Sequence, residues 1–288
     1  MILRELCVLC GENDEKMKKI LLIILFSLLV YSFFTSSCLA LRVSPVEFNL
    51  KIPSGETKTL TFSVMNDTPS PQIYTFYAAD WYRNEKGDNL FFENSTPKRI
   101  ENRSCKDWIE ISRARLEIPP DSAETVKFNL KVPPQAKGTY WAIIFVEGMP
   151  RPVKHRGYTV MAVPRIGLKV YQTPPGTAVK EGRVIGMKLE SDNPLVFSLT
   201  FENSGNCNLR PEGYIQIKDV RGKTVRKIPI SPFPILPGFK RILHIKDKDT
   251  PLSPGVYQAL GVIDYGGENL VAGQVVFRIK QKGQKVKR

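Results

Sequence analysis

Residues 118–142, IPPDSAETVKFNLKVPPQAKGTYWA, return near the end of the chain in altered form as residues 235–259, ILPGFKRILHIKDKDTPLSPGVYQA. In both copies the third residue is a proline, and the glycine that opens a Gly-x-Tyr-x-Ala motif follows 18 residues later. An alternating stretch between two turn signals is typical of a half-buried strand. The equal spacing indicates that one strand-rich module has been duplicated.

The repeat extends upstream of these two stretches. Residues 62–66, FSVMN, and residues 197–203, FSLTFEN, both predict a strand that ends at an asparagine turn. The tyrosine of each Gly-x-Tyr-x-Ala motif is expected to lay its ring on the core and to bond its hydroxyl to backbone, as in tyrosine corners. The first copy is longer by about twenty residues, which we place around residues 82–106. This insertion is either a tolerated loop or a functional one.

The rest of the chain shows the same strand-and-turn pattern. Short alternating runs are separated by Pro and Gly, and nothing after residue 40 keeps a 3.6-residue apolar period. We therefore predict an all-β protein made of two immunoglobulin-like β-sandwiches in tandem. The domains are predicted at residues 41–173 and 174–281, joined at a proline-rich segment, with a basic tail at 282–288.

The first forty residues have the features of a signal peptide. Two lysines precede a fifteen-residue apolar run, Ile20 to Phe34, which is short for a transmembrane helix, and small residues lead to a predicted cleavage site after Ala40. The reading frame is expected to start at Met17. We expect a periplasmic or extracellular, cell-surface location, with acylation of Cys38 as a lipoprotein as the alternative.

The charge balance is basic, at +14, but the Lys and Arg residues are spread along the chain. This argues against a nucleic-acid partner, which requires basic residues gathered on one face. The basic tail is expected to be a solvated end, with attachment to an anionic envelope surface as the second interpretation.

The sequence offers no catalytic constellation. The two histidines, His155 and His244, lie away from acids and cysteines at metal-ligand spacing, and no nucleophile or phosphate-binding motif occurs. We predict no enzyme activity, no cofactor and no metal. Cys105 and Cys207 fall in different predicted domains, so they either stay separate thiols or form a disulfide between the sandwiches.

The order of strands and turns resembles the periplasmic pilus-chaperone superfamily. The resemblance is carried by residues 48–66, by the Ile-Pro-Pro turn at 118–120 and by the strand ending at residues 169–171, and it covers most of residues 41–175. A weaker similarity, in residues 132–138, is to the surface proteins called WxL-interacting proteins. Those carry a C-terminal membrane anchor for which this sequence shows no segment.

The chaperone resemblance implies that the last strand of the first domain adds its edge to an incomplete secreted protein subunit by β-augmentation. Pro164 interrupts this strand and predicts a bulge. The apolar donor-strand candidates are Tyr158, Val160, Ala162, Ile166, Leu168 and Val170.

The same resemblance implies a cationic clamp for the subunit's terminal carboxylate. The two clamp positions hold Asn49 and Leu168 here, so the nearby Lys51 and Lys169 become the carboxylate-anchor candidates. Both are expected to face the opposite side of their strands unless a bulge corrects the register.

Two functions follow from these observations. The first is an exported, non-catalytic chaperone that caps or assembles surface-fibre subunits. The alternative is a cell-surface adhesion module that binds protein or glycan without chaperone activity.

Overall fold

The structure, a computed structural model, describes residues 41–155, 157–249 and 251–280. Nineteen strands and two short 3₁₀ helices, Glu101–Arg103 and Lys106–Trp108, make up its regular structure. The predicted all-β class is confirmed. The leader with Met17 and Cys38, and the tail 282–288, lie outside the described residues.

The first twelve strands build the N-terminal sandwich, residues 41–172. Sheet I has the order β1-β3-β8-β6, and sheet II has the order β2-β12-β9-β4-β5 with β7 also paired to β4. Strands β10 and β11 form a separate two-stranded hairpin. The strands are β1 Leu41–Ser44, β2 Glu47–Leu50, β3 Thr57–Asn66, β4 Gln72–Arg83, β5 Asn89–Phe92, β6 Ile109–Ile111, β7 Arg115–Ile118, β8 Ser122–Lys131, β9 Tyr140–Gly148, β10 Arg151–His155, β11 Tyr158–Ala162 and β12 Arg165–Gln172.

The last seven strands build the C-terminal sandwich, residues 182–279. A three-stranded sheet III, β13-β14-β17, accompanies a four-stranded sheet IV, β16-β15-β18-β19. The strands are β13 Gly182–Asp192, β14 Leu195–Asn203, β15 Glu212–Asp219, β16 Thr224–Ile230, β17 Lys240–Lys246, β18 Gly255–Asp264 and β19 Val271–Ile279. The fold of two tandem β-sandwiches is as predicted. The exact domain limits, 41–173 and 174–281, stay a prediction.

Strand alternation explains the core of the N-terminal sandwich. In β3, Phe62 and Val64 are buried while Thr59 and Thr61 are exposed, as the sequence pattern predicts. Phe62 meets Phe76 of sheet II edge-on, with ring centroids 5.9 Å apart. Because side chains alternate across a strand, one face of each sheet fills this core and the other face remains for other contacts.

The outer face of sheet II contacts the C-terminal sandwich. The ring centroid of Phe239 lies 5.3 Å from that of Tyr82 and 6.3 Å from that of Trp141. The guanidinium of Arg99 lies 4.1 Å from the centroid of the Phe239 ring. The amide of Ile242 donates to the carbonyl of Glu85 at 2.8 Å. The insertion predicted around residues 82–106 therefore bridges the two sandwiches.

Two hydroxyl groups of the insertion bond to one buried carboxylate. Thr96 Oγ1 and Ser104 Oγ each donate to Asp80 at 2.5 Å, and the Nζ of Lys106 lies 3.4 Å from the same group. A buried carboxylate is stable only when it is paired and hydrogen-bonded. The insertion is thus fixed to β4 at its far end.

Candidate functional site

The hairpin β10–β11 continues the pair β9–β12 beyond the sandwich. Glu147 pairs with Arg165, whereas Arg151 pairs with Ala162, so residues 148–150 of one strand face only residues 163–164 of the other. This unequal count is a bulge, at the place where Pro164 predicts one. Among the described residues beyond this bulge, β10 and β11 pair only with each other and belong to neither sheet I nor sheet II.

Strand β11 presents an unpaired backbone edge. Within the described residues β11 pairs with β10 and with no other strand. Its apolar side chains are exposed, with Tyr158 at 77%, Met161 at 64% and Val160 at 49% of their accessible area. An exposed apolar strand with free N–H and C=O groups is a template for pairing with another chain.

The free edge continues into β12. Strand β9 pairs with all of β12, but β2 pairs with the opposite side only from Lys169 to Gln172. Residues 165–168 therefore have no strand partner on that side in the described part of the chain. Beside them lies an open groove of about 450 Å³ whose lining includes Leu41, Val43 and Ile166.

The six donor-strand candidates lie in three kinds of environment. Tyr158, Val160 and Ala162 lie on the hairpin, whereas Leu168 and Val170 are fully buried between sheets I and II. Ile166 is half-buried at the groove. The prediction that Leu168 and Val170 offer their side chains to a partner is therefore corrected, because alternation along β12 directs them into the protein's own core.

Lys169 lies on the outer face of sheet II. It pairs with Glu47 in the β2–β12 ladder, while Asn49 pairs with Tyr171, so Lys169 and Asn49 share one face. The Nζ of Lys169 lies 4.6 Å from the centroid of the Trp81 ring. Lys169 therefore faces the side opposite Leu168, as predicted, and it is Lys169, not Leu168, that shares the outer face with Asn49.

Lys51 follows the end of β2 and is exposed. It lines a cleft of about 280 Å³ together with Asn49, Tyr171 and Lys180. Its predicted opposite orientation is wrong, because Lys51 lines the same cleft as Asn49, from which it is an even step of two residues. Both lysines remain anchor candidates, Lys51 at this cleft and Lys169 on the outer face of sheet II.

Two arginines that sequence reasoning missed lie near Lys169. Arg210 of the C-terminal sandwich bonds to Glu47 through Nη2 and Oε1 at 2.5 Å, and Asn49 donates to the same oxygen at 2.8 Å. Burial lowers the pKa of Lys169, the positive charges of Arg83 and Arg210 lower it further, and Glu47 opposes them. No local motif marks Arg83 or Arg210, since the fold alone brings them to Lys169.

This cluster can bind an anion. Two cations, Lys169 and Arg210, interact with the carboxylate of Glu47, and the charge of Arg83 also acts on Lys169. A lysine whose charged form is disfavoured gains from a further carboxylate, because an added negative charge stabilises the ammonium. We call Lys169, Arg83, Arg210 and Glu47 the cleft cluster.

In the described part of the chain the other titratable groups do not gather into a metal site. Among residues 41–249 and 251–280, apart from residue 156, no three His, Cys, Asp or Glu side chains are placed to hold a metal. The Nδ1 of His244 lies 2.9 Å from Glu190 on an exposed face. Cys105 and Cys207 are buried, separate thiols. No helix in the described part has the length and hydropathy of a membrane span.

Several solved structures are similar to this chain at low sequence identity. No family model matches the sequence, and no curated protein matches it. The E. coli chaperone DraB is 14% identical over 85% of this chain and 97% of its own, with a TM-score of 0.41. The Pseudomonas aeruginosa CupB2 chaperone is 13% identical over 82% and 98%, with a TM-score of 0.37.

A third similar structure is a chain of the CsuC–CsuE chaperone–tip adhesion subunit pre-assembly complex from the archaic chaperone-usher Csu pili of Acinetobacter baumannii. It is 12% identical over 81% of this chain and 97% of its own, with a TM-score of 0.42.

Proposed function

We propose that this protein is a non-catalytic, chaperone-like factor that binds secreted polypeptide subunits by adding the edge of β11 and β12 to their sheets. The observation that carries the proposal is the unpaired edge of β11, with Tyr158 and Val160 exposed on it. In β-augmentation main-chain hydrogen bonds supply affinity, and alternate side chains supply specificity. The edge of β11 offers unpaired main-chain groups for the hydrogen bonds and exposed alternate side chains for specificity.

Burial of the exposed apolar side chains of β11 would favour binding of a partner to this edge. Tyr158, Val160 and Ala162 alternate along β11, so one face of the strand presents three apolar side chains in a row. Fully burying a side chain such as Val160 contributes about 1.5–3 kcal/mol. A partner with an open apolar groove would gain this energy along with the backbone hydrogen bonds.

The cleft cluster supports a second contact. A carboxylate placed beside Lys169 would also feel the charges of Arg83 and Arg210 and would compete with Glu47 for Arg210. A polypeptide's C-terminal carboxylate has the required charge and an extended chain behind it. Lys51 at the neighbouring cleft is the alternative contact for the same group.

The location belongs to the proposal as well. The basic, apolar and small-residue regions of residues 17–40 support export, and we place the mature protein in the periplasm, with the cell surface as the alternative. Acylation of Cys38 and attachment of the basic tail to an anionic surface remain predictions.

A matched pair of variants tests strand addition. Val160→Asp puts a charge on the exposed face of β11, and Val276→Asp makes the same change at a valine that is 66% exposed on β19. Each variant would be co-expressed with the short secreted proteins encoded by neighbouring genes, and complexes would be isolated by size-exclusion chromatography.

We expect a one-to-one complex with the wild type and Val276→Asp, and its loss with Val160→Asp. In the complex, backbone amides of residues 158–162 should exchange hydrogen more slowly, because the partner strand bonds to them. Equal complex formation by both variants, or unchanged exchange in β11, would contradict strand addition through this edge. Retention on glycan resin without any such complex would favour the adhesion function.

A further inference from the structure

The sequence around the hairpin lacks acidic residues. From Gly148 to Lys180 there is no Asp or Glu, whereas the segment contains six basic residues. Arg151 and Lys154 lie on β10, and both are exposed. Residues 220–246 and 269–288 also lack Asp and Glu, so the hairpin segment is one of several basic stretches in a chain whose net charge is +14.

Arg151 and Lys154 carry free charge. Neither forms an ion pair among the described residues, although Arg151 is close enough to Tyr74 to influence it electrostatically. Arg165, at the base of the hairpin, differs because its guanidinium bonds to Glu93 and lies 3.7 Å from Glu147. The net positive charge of the hairpin is therefore concentrated on β10.

The pairing register places one free cation on each face of the ribbon. Arg151 pairs with Ala162 and Val153 pairs with Val160, so Arg151 shares a face with the apolar row of β11. Lys154 pairs with Thr159 and lies on the opposite face. Directly paired residues in a sheet share a face, so each face of the ribbon presents a cation on β10, one strand away from the unpaired edge of β11.

We propose that the partner of this edge is an acidic polypeptide, with an apolar groove that receives Val160 and carboxylates along the groove's rim that meet Arg151 and Lys154. This inference rests on the proposed function and specifies the chemistry of the partner. Complementary charges at an interface raise the association rate and exclude partners of the wrong sign. A basic partner would place like charges next to β10 and be rejected.

Immobilised peptides test the sign of the charge directly. Three series, in which valine alternates with glutamate, glutamine or lysine, would be probed with the mature protein at several salt concentrations. A double variant, Arg151→Glu with Lys154→Glu, reverses the hairpin charge. Its control, Lys58→Glu with Lys127→Glu, makes the same net change at two exposed lysines of β3 and β8.

We expect the glutamate series to bind best and to weaken with added salt, because exposed charges are screened. The hairpin variant should bind the glutamate series at least about tenfold more weakly and prefer the lysine series, since like charges at an interface are strongly unfavourable. The control variant should keep the wild-type preference. Equal binding of the three series, or an unchanged preference in the hairpin variant, would overturn the inference.

The outcomes separate this inference from the proposed function. Binding that is equal for all series but abolished by Val160→Asp would leave strand addition standing and remove the acidic partner. Absence of binding to every series, or binding that Val160→Asp does not weaken, would contradict strand addition itself. Binding to phosphatidylglycerol vesicles but not phosphatidylcholine vesicles, with no preference among peptides, would assign the cations to a lipid surface instead.

Discussion

Asn66 and Asn203 occupy equivalent places in the two sandwiches, each completely buried at the end of a strand. The side-chain amide of Asn66 donates to the carbonyl of Ile118 at 3.0 Å, and that of Asn203 donates to the carbonyl of Ile235 at 3.1 Å. Ile118 and Ile235 open the two copies of the sequence repeat. The duplication seen in the spacing of prolines and glycines is therefore also a duplication of hydrogen bonds.

This relationship predicts the cost of removing either side chain. Asn66→Ala and Asn203→Ala should each lower the free energy of unfolding by about 1–3 kcal/mol, because buried carbonyls are left without donors. Chemical denaturation followed by intrinsic fluorescence would measure the change, with Asn269→Ala at an exposed loop as the control. A loss for one sandwich and none for the other would contradict the equivalence.

The sequence could predict the repeat because it depends on local spacing. Its tyrosine prediction holds for Tyr257, whose hydroxyl donates to the carbonyl of Ser253 at 2.9 Å. The ring of Tyr140, in contrast, packs 4.4 Å from the ring of Trp108, which lies next to the insertion. The two copies diverge where one of them meets residues that have no counterpart in the other.

The candidate site was predictable only in part. Alternation and Pro164 are local signals, so the sequence could predict the strand that carries Tyr158, Val160 and Ala162 and the bulge that follows it. The orientation of Leu168 and Lys169 was not predictable in this way. The sequence alone implies that Leu168 and Lys169 face opposite sides of their strand. Which of the two faces the core depends on the pairing of β2 with β12. Arg210 reaches Glu47 across 163 positions, and no local pattern reports such a contact.

The buried thiols should be unreactive. Burial raises the pKa of Cys105, with the charge of Asp80 as a second cause, and burial also raises the pKa of Cys207. Since the thiolate is the reactive form, iodoacetamide should modify neither thiol in the folded protein and both after denaturation. Thr159→Cys, on the exposed hairpin, provides a thiol that should react at once. A mass that indicates a disulfide, or rapid modification of Cys105, would disagree with this structure.

The aromatic contact between the sandwiches should couple their unfolding. Phe239→Ala removes a buried ring that meets Tyr82, Trp141 and Arg99, and should lower the free energy of unfolding by about 3–5 kcal/mol. Hydrogen exchange of the Ile242 amide, which bonds to Glu85 across the contact, should accelerate.

The control for this prediction is Phe277→Ala. Phe277 is also buried, but its ring partners, Phe197 and Tyr257, belong to the same sandwich. Its loss should destabilise the C-terminal sandwich without selectively exposing the amide of Ile242. If Ile242 stays as protected in Phe239→Ala as in the wild type, the insertion does not hold the two sandwiches together.

Lys169 should contribute to partner binding at the expense of stability. Because folding lowers its pKa below the ordinary value of 10.5, the unfolded chain binds more protons than the folded chain between the lowered pKa and 10.5. The free energy of unfolding should therefore rise as pH increases through that window. Lys169→Met should remove this rise and be at least as stable as the wild type at neutral pH, since the ammonium no longer has to be desolvated.

The same variant should bind the subunit more weakly, because a carboxylate at the cleft cluster loses its nearest ammonium. Lys58→Met, at an exposed position on β3, should change neither property. Urea unfolding between neutral pH and pH 10, together with the dissociation constant of the co-expressed complex, would measure both effects. A Lys169→Met protein that is less stable than the control and binds normally would make this lysine a structural residue and leave the terminal carboxylate to Lys51.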